Sequence, residues 1–557
     1  MKRISLILSL LALVLTVSCS REDPEAELFV NASELTLSRN GAEARAYITI
    51  QSNVRWTASV DGDWLKLFYM EGEAGKEYKS MVSAGNNPDP TPRTAVITIV
   101  AGERNRKVTV TQEAGTIVMT PSQVDNYDSI YIPQEYRPGN FLSSDGEWFF
   151  GRSIQSEHFI VFWEAGYGED GSVTPSNCSD PYYKVNLTDL LDWAEKCWAC
   201  YIDDLKFVTR GSSQLDKYKF EIFLHHQKEW AAYGGGKDEM VGSLWVNPDA
   251  AKDKFALAHE IGHSFQYQIY CDKLLNKEAQ NDWHTGFRYN RPGENGCGFW
   301  EQCAQWMAYV VYPGQLFEEW QFPDFYANCH RHFLHEDMRY ASNVFQFYMT
   351  DTYGIDAVAK VWKSGVYPQD ALQAYMSAFG LDNDGLNAQL YDYAARVATW
   401  DFSATRVKGL LYLDRIAWHA TAGSDGWYEV DDESSPEATG FNIIPLKDHG
   451  TGKEVSITIE GLPGGGADAD DGGWTIGFAA LSSNNATRYY SAPQTASSLT
   501  DGKAEVTWTI PSDASRVWAV VAATPSVYKT HLWDDDNSND RHWPYRVSFT
   551  GAVPAGE

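Results

Sequence analysis

The chain has 557 residues, of which 43% are hydrophobic and 14% aromatic, and its formal net charge is −30. This length and this hydrophobic content suffice for several cores, so we predict a multidomain protein. The strong negative charge excludes nucleic acid and anionic membrane surfaces as partners, because both would repel the folded chain.

The first residues predict export. A basic start precedes an apolar run over residues 4–17, which is too short to span a membrane as a mature helix. Small residues then lead to Cys19, as in bacterial lipoprotein signals, and the acidic stretch that follows resembles the export tag of Bacteroidetes surface lipoproteins. The resemblance implies that residues 1–18 are removed and Cys19 is lipidated, with residues 19–27 as a tether at the outer membrane or cell surface. An ordinary signal peptide is the alternative.

Residues 28–115 show the pattern of a β-sandwich. Short runs with alternating apolar residues are separated by Asn-Gly and Asp-Gly turn signals, which favours an immunoglobulin-like sandwich. Trp56, Trp64 and Asn86-Asn87 lie in a pattern that resembles the BACON domain of Bacteroidetes proteins. The resemblance implies either carbohydrate binding or a spacer role, and we expect both tryptophans to lie in the core.

The most informative motif lies in the central segment, residues 116–405. His259, Glu260 and His263 form an H-E-x-x-H sequence in surroundings that favour an uninterrupted helix. Residues four apart lie on one face of a helix, so the two histidines can bind one zinc ion. Glu260 would lie beside the metal as general base toward a water molecule. The alternative is a pair of helix-face histidines satisfied by neighbouring residues.

Catalytic zinc has three protein ligands, so a third must come from elsewhere. Gln266 and Ile269 stand where the metzincin pattern requires glycine and histidine, which excludes that class. Residues 298–309 have apolar side chains at helical spacing, and Glu301 is the acidic residue among them. A carboxylate among aromatic residues needs a strong partner, because its desolvation alone is costly. We therefore predict Glu301 as the third ligand.

Two alternatives to this role of Glu301 stay open. Glu294, in the preceding loop, is the substitute ligand, although its position is less fixed. Without a metal, Glu301 would pair with Arg288 or Arg291 instead.

With these residues the central segment resembles the gluzincins, the thermolysin-like group of zinc peptidases. The resemblance implies that His259, His263 and Glu301 bind zinc and that Glu260 is the general base. Thermolysin-like enzymes have an aspartate four residues after the glutamate, where this chain has Gln305. Its amide oxygen can still accept the N–H of a ligand histidine.

Two further features concern substrate. We predict strands at residues 219–224 and 241–246 with a flexible loop at residues 233–236 between them, and an exposed strand there could pair with an extended substrate. Gluzincins stabilise the oxyanion with a histidine or tyrosine from a later helix, for which His335 and Tyr340 are the candidates. A plain surface or core position is the alternative for each.

Cys197 and Cys200 form a C-x-x-C sequence. An amphipathic helix over residues 190–205 and the lack of a thioredoxin-type βαβ pattern argue against redox chemistry. We predict either a disulfide or two buried thiols.

Residues 406–557 return to a strand pattern, which predicts a C-terminal β-sandwich. Acidic stretches at residues 468–471 and 534–540 offer the oxygen ligands that calcium prefers. Neither has the EF-hand spacing, so solvated loops are the favoured interpretation.

The predicted fold is therefore a multidomain chain with an immunoglobulin-like β-sandwich, an α+β zincin-like domain and a second β-sandwich. The arrangement resembles a family of Bacteroidetes surface proteins and the enhancin-like, mucin-targeting peptidases. We predict a monomeric, surface-tethered zinc metallopeptidase that acts on proteins or glycoproteins, with glycan contact through the β-sandwiches. A glycan- or host-binding protein with a non-catalytic zincin-like domain, and esterase or amidase chemistry at the same site, stay open.

Overall fold

A computed structural model describes residues 25–555 except 90, 138–139, 279–286, 288–296, 465–471, 497–501, 532 and 535. Several residues discussed above lie outside the described part: the leader, Cys19, Arg288, Arg291, Glu294 and the acidic stretch at 468–471. The chain divides into two compact units, which meet in sequence between residues 118 and 119. Among the described helices, none is both long and apolar enough to cross a membrane.

The first unit is a β-sandwich. Its strands are β1 (Leu28–Val30), β2 (Glu34–Leu37), β3 (Arg45–Ser52), β4 (Trp56–Val60), β5 (Leu65–Leu67), β6 (Glu71–Gly72), β7 (Glu77–Ala84), β8 (Arg93–Ala101) and β9 (Arg104–Gln112). One sheet has the order β1-β3-β7-β5 and the other β2-β9-β8-β4-β6. Alternate side chains point into a shared core around Trp56, and half-buried Trp64 packs against it. The predicted sandwich is confirmed.

The second unit begins with a mixed sheet. Its strands are β10 (Ser153–Gln155), β11 (Phe159–Trp163), β12 (Phe220–Leu224), β13 (Ala232–Lys237) and β14 (Val241–Val246), in the order β10-β11-β12-β14-β13. β11, β12 and β14 are parallel, whereas β10 and β13 run antiparallel to their neighbours. β11 and β12 are buried throughout, because helices cover one face and an aromatic cluster covers the other.

The prediction of a loop at residues 233–236 is wrong, because these residues form part of β13. Glycine-rich sequence favours loops in isolation, but here strand pairing with β14 and close packing against a helix override that preference.

The helices of this unit follow the sheet in sequence, apart from α1. They are α1 (Leu187–Ala199), α2 (Pro248–Lys252), α3 (Lys254–Leu275), α4 (Cys297–Val311), α5 (Phe322–Asn328), α6 (Val344–Tyr353), α7 (Ala357–Ser364), α8 (Ala371–Phe379), α9 (Asn383–Thr399) and α10 (Arg406–Gly409). Asp253 caps α3 by accepting from the N–H groups of Phe255 and Ala256, at 2.8 and 3.2 Å. α3 is buried for most of its length between the sheet and α4, which explains its lack of a polar face.

The C-x-x-C pair lies at the C-terminal end of α1. Both cysteines are free thiols, Cys197 buried and Cys200 partly so. Burial raises the pKa of Cys200 to about 12 and also raises that of Cys197, so neither is a reactive thiolate. We predicted either a disulfide or two thiols, and the structure has two free thiols.

The remaining strands form two sheets around a common core, as expected for a β-sandwich. They are β15 (Ala420–Ala422), β16 (Trp427–Val430), β17 (Phe441–Lys447), β18 (Glu454–Gly461), β19 (Trp474–Ser482), β20 (Arg488–Tyr490), β21 (Gln494–Ala496), β22 (Lys503–Thr509), β23 (Ala514–Ala523), β24 (Tyr545–Thr550) and β25 (Val553–Pro554). The sheet orders are β15-β16-β24-β18-β22 and β20-β19-β23-β17-β25, with β21 on β19. β17, β19 and β23 also pack on α9, so the helices and this sandwich share one core and form one unit.

Candidate metal centre

The H-E-x-x-H residues lie in the middle of α3, where β13 and α4 approach it most closely. A Cβ atom on Gly234 of β13 would lie 2.0 Å from the carbonyl oxygen of Glu260, so glycine is required there. On the α4 side, a Cβ on Gly262 would lie 3.4 Å from Cα of Ala304. These two close approaches bring an edge strand and the helix that carries Glu301 to the same part of α3.

Three potential ligand atoms converge on one point. Nε2 of His259 lies 3.0 Å from Oε2 of Glu301, and Nε2 of His263 lies 3.2 Å from the same oxygen. The two imidazole planes meet at 88°, and all three side chains are buried. These separations agree with ligands that each lie about 2 Å from one tetrahedral zinc ion.

The hydrogen-bond partners of Nδ1, the ring nitrogen that faces away from Glu301, set the tautomers of the two histidines. Nδ1 of His259 lies 2.9 Å from Oε1 of Gln305, and Nδ1 of His263 lies 3.0 Å from Oε1 of Gln266. The amide of Gln266 is fixed in orientation, because its nitrogen donates to the backbone carbonyl of Trp300 at 3.0 Å, and the nitrogen of Gln305 lies 3.4 Å from Oε1 of Gln321. Each Nδ1 therefore carries a hydrogen, and each Nε2 presents a lone pair toward Glu301.

The result is three acceptor atoms that face one another. Burial acts to raise the pKa of Glu301, and the contacts with His263 and His259 lower it only where an Nε2 carries a hydrogen or a positive charge lies between the three atoms. A single shared proton can satisfy one of the two contacts, and protonating both rings would bury two positive charges with centroids 4.5 Å apart. A divalent cation satisfies all three acceptors, and two imidazoles with one carboxylate are a donor set that fits zinc.

Glu260 is buried beside this point. Burial raises the pKa of its carboxyl to about 7; His259 and a hydrogen bond from the N–H of Gly234 act in the opposite direction. This value lies in the range suited to a general base near neutral pH.

Aromatic rings complete the surroundings. His263 stacks on Trp300, with centroids 4.9 Å apart and planes at 12°. Tyr340 lies with its ring 6.1 Å from that of His259, under the guanidinium of Arg339. Tyr340 is therefore at the site, as the oxyanion role requires.

His335, the other predicted oxyanion candidate, is engaged elsewhere. It is fully buried, its Nδ1 accepts from the N–H of Asp337 at 3.0 Å, and its Nε2 donates to Oδ2 of Asp540 at 3.0 Å. Both ring nitrogens are used and no ring edge is open to a substrate, so the prediction for His335 is wrong.

His335 belongs to a second cluster, in which its ring, His531 and Asp540 place ligand-type atoms within 4.8 Å of one another. Nη1 of Arg331 lies 3.0 Å from Nε2 of His335, 3.2 Å from Glu437 and 3.7 Å from Asp540. The guanidinium thus supplies positive charge where a metal ion would lie, and the hydrogen on Nε2 leaves no lone pair for a metal. The cluster is an ion-pair network.

The acidic stretch at residues 534–540 is described apart from 535. Carboxylates of Asp534 and Asp536 accept hydrogen bonds from within the same loop, and Asp540 pairs with His335. Calcium binding here stays a prediction.

Gln266 was not among the predicted functional residues. It lies three residues after His263, on the same face of α3, and this spacing could have indicated the contact between the two side chains. By contrast, Gln305 lies against His259 as predicted.

Comparisons with known proteins extend this description. A model for DUF6055, a family of unknown function, matches residues 122–556, and the BACON model matches residues 54–113, which confirms that resemblance. No curated protein matches the chain.

Some solved structures resemble parts of the chain. A Bacteroides ovatus GH5 xyloglucanase in complex with a XXXG heptasaccharide is 16% identical, with 44% of each chain covered and a TM-score of 0.16. A functionally unknown conserved protein from Bacillus anthracis str. Ames is 7% identical over 64% of this chain and 73% of its own, with a TM-score of 0.25. The chain thus spans less than half the length of the xyloglucanase, and neither likeness bears on function.

Proposed function

The chain belongs to the DUF6055 family, whose function is unknown, and we propose from its metal centre that it is a zinc metallopeptidase. The observation that carries the proposal is the convergence of His259, His263 and Glu301 on one point beside Glu260. Zinc held by these three residues would act as a Lewis acid toward the scissile carbonyl and the attacking water.

Glu260 is the proposed general base. Its carboxyl is buried next to the ligand residues, with a pKa raised by burial to about 7. It takes a proton from the attacking water and returns it to the leaving amine, which requires a group able to exist in both protonation states.

Tyr340 is the proposed oxyanion donor. Its ring lies 6.1 Å from that of His259 and is held under the guanidinium of Arg339. A phenol O–H placed on this side of the site can donate to the oxygen that becomes negative when the carbonyl is attacked.

Strand β13 is the proposed substrate-binding edge. It lies at the end of the sheet, and its Gly234 contacts the helix at Glu260 and His263. An extended peptide that adds to this edge would pass beside the ligand residues. The strands predicted at residues 219–224 and 241–246 correspond to β12 and β14, and both lie inside the sheet, so neither offers a free edge.

The variant Glu260→Gln tests the proposed function, because it removes the general base and spares the three ligand residues. We expect zinc content to stay unchanged and hydrolysis of a denatured protein substrate to fall by a factor of about 10² or more. Glu278→Gln, at an exposed position just after α3, is the matched control and should keep full activity.

Unchanged turnover in Glu260→Gln would contradict the assigned role. A zinc-loaded wild type that binds glycoproteins without cleaving any substrate would favour a binding protein, and cleavage of esters but not peptides would favour esterase chemistry.

A further inference from the structure

Arg339 directly precedes Tyr340, the proposed oxyanion donor, and its guanidinium lies over two aromatic rings. Its Cζ atom lies 5.8 Å from the ring centroid of Tyr340 and 5.7 Å from that of Trp533. The ring of Tyr340 lies in turn 6.1 Å from that of His259. The guanidinium therefore lies no farther from the His259 ring than the first and the last of these distances added together.

Trp533 comes from the C-terminal sandwich, in the connection between β23 and β24. Its ring packs against the start of α4, because a Cβ atom on Gly298 would lie 3.5 Å from Cζ3 of Trp533. Glu301, the proposed third ligand, follows on the same helix about one turn later. The indole under Arg339 is thus joined by direct contact to the helix that carries a proposed ligand.

The same connection holds the short turn that precedes Arg339. Oε2 of Glu336 lies 3.0 Å from Nε2 of His531, and its Oε1 accepts from the N–H of Asp534 at 2.8 Å. Oδ2 of Asp337 accepts from a side-chain amide of the connection at 3.3 Å. The two carboxylates closest to Arg339 in sequence are therefore engaged with the connection and not with the guanidinium.

Arg339 is half-buried, and its charge is not balanced by an anion. Among the residues that the structure describes, none forms a salt bridge or a side-chain hydrogen bond with its guanidinium. Arg331, in the same segment, differs in this respect, because its Nη1 lies 3.2 Å from Oε1 of Glu437. A guanidinium that is partly removed from water gains most from a planar, negatively charged acceptor.

We propose that Arg339 binds a carboxylate of the substrate, either the C-terminal carboxylate of a peptide or an acidic side chain near the scissile bond. The planar guanidinium can donate two parallel hydrogen bonds to a carboxylate, and the rings of Tyr340 and Trp533 hold its orientation. An extended peptide spans about 3.3 Å per residue, so a C-terminal carboxylate at Arg339 would place the scissile bond within the last few residues. The inference rests on the proposed peptidase function and names its substrate class.

The test measures binding rather than cleavage, in the full chain carrying Glu260→Gln. The probes are rhodamine-labelled decapeptides of alanine and glycine, read by anisotropy. One ends in a free carboxylate, one ends in an amide, and a third ends in an amide and has one central glutamate. We expect a carboxylate peptide to bind about 10-fold tighter than the plain amide peptide, a difference that decreases at high salt. Tight binding of the free acid identifies C-terminal recognition, and tight binding of the glutamate peptide identifies an acidic side chain.

Variants assign this preference to Arg339. Arg339→Gln should abolish it and leave binding of the plain amide peptide unchanged, whereas Arg339→Lys should retain part of it, because the charge remains without the planar fork. Trp533→Ala should reduce the preference and Trp533→Phe should keep most of it. The matched control is Arg415→Gln, since this exposed arginine also lies over a tyrosine, with Cζ 5.6 Å from the ring centroid of Tyr412.

Equal binding of the three peptides would overturn the inference. So would a preference that persists in Arg339→Gln and disappears when a chelator removes the metal, because the carboxylate would then bind the metal ion itself. Failure of the peptidase proposal is distinguishable: a protein that prefers a carboxylate peptide through Arg339 and cleaves no peptide keeps this inference and loses the other.

Discussion

The second unit contains two places where buried histidines meet carboxylates, and they use the imidazole ring in opposite ways. At His259 and His263, amide oxygens accept from Nδ1, and both Nε2 lone pairs point at one carboxylate oxygen. At His335, a backbone N–H occupies Nδ1, and Nε2 carries the hydrogen that Asp540 accepts.

Under the zinc proposal, this difference means that residue type and proximity do not by themselves make a metal centre. The first cluster lacks positive charge among its converging atoms, whereas Arg331 provides it in the second. The partner of Nδ1 distinguishes the two clusters, because it determines whether Nε2 has a lone pair to offer to a metal ion.

The largest effect that distinguishes the clusters is on stability. His335→Ala removes the ring that donates to the partly buried carboxylate of Asp540 and opens a cavity at a fully buried position, so we expect a loss of about 3–5 kcal/mol in the free energy of unfolding of the second unit. Urea denaturation followed by tryptophan fluorescence measures it. His419→Ala, at a half-exposed side chain, is the control and should cost about 0.5 kcal/mol or less. A small loss in His335→Ala would mean that the second cluster is not the ion-pair network described.

A smaller effect is expected at Gln305, which under the zinc proposal would act on the metal ion through His259. Gln305→Ala removes the acceptor of the Nδ1 hydrogen, so we expect zinc affinity to fall by a factor of about 10–100. Gln305→Glu keeps an acceptor at that position and should retain affinity, which a competition assay with a chromophoric chelator can measure. If both variants bind zinc as wild type does, the ring of His259 is held by other contacts.

Much of the first cluster could be predicted from sequence, because its geometry is largely local. The spacing of His259 and His263 follows from one turn of helix, and Glu301 and Gln305 repeat that spacing on a second helix. The contact between the two helices is not local, but a lone acid in an aromatic helix indicates a buried partner.

The second cluster and strand β13 could not be predicted in this way. His335 meets Asp540 only because a connection in the C-terminal sandwich returns to the helical part, and no sequence pattern joins positions so far apart. The glycines of β13 indicate a loop unless one knows that α3 packs against them. The β-sandwich of the first unit was predictable because the alternation of its strands is local.

The central claim is that one cluster binds zinc and the other does not, and metal content tests it directly. Elemental analysis of the purified protein should find about one zinc per chain in wild type, almost none in Glu301→Gln, and an unchanged content in Asp540→Asn. Asp540→Asn is the matched change, because its amide oxygen can still accept from His335. A zinc-free wild type, or zinc that is lost in Asp540→Asn and kept in Glu301→Gln, would contradict the account.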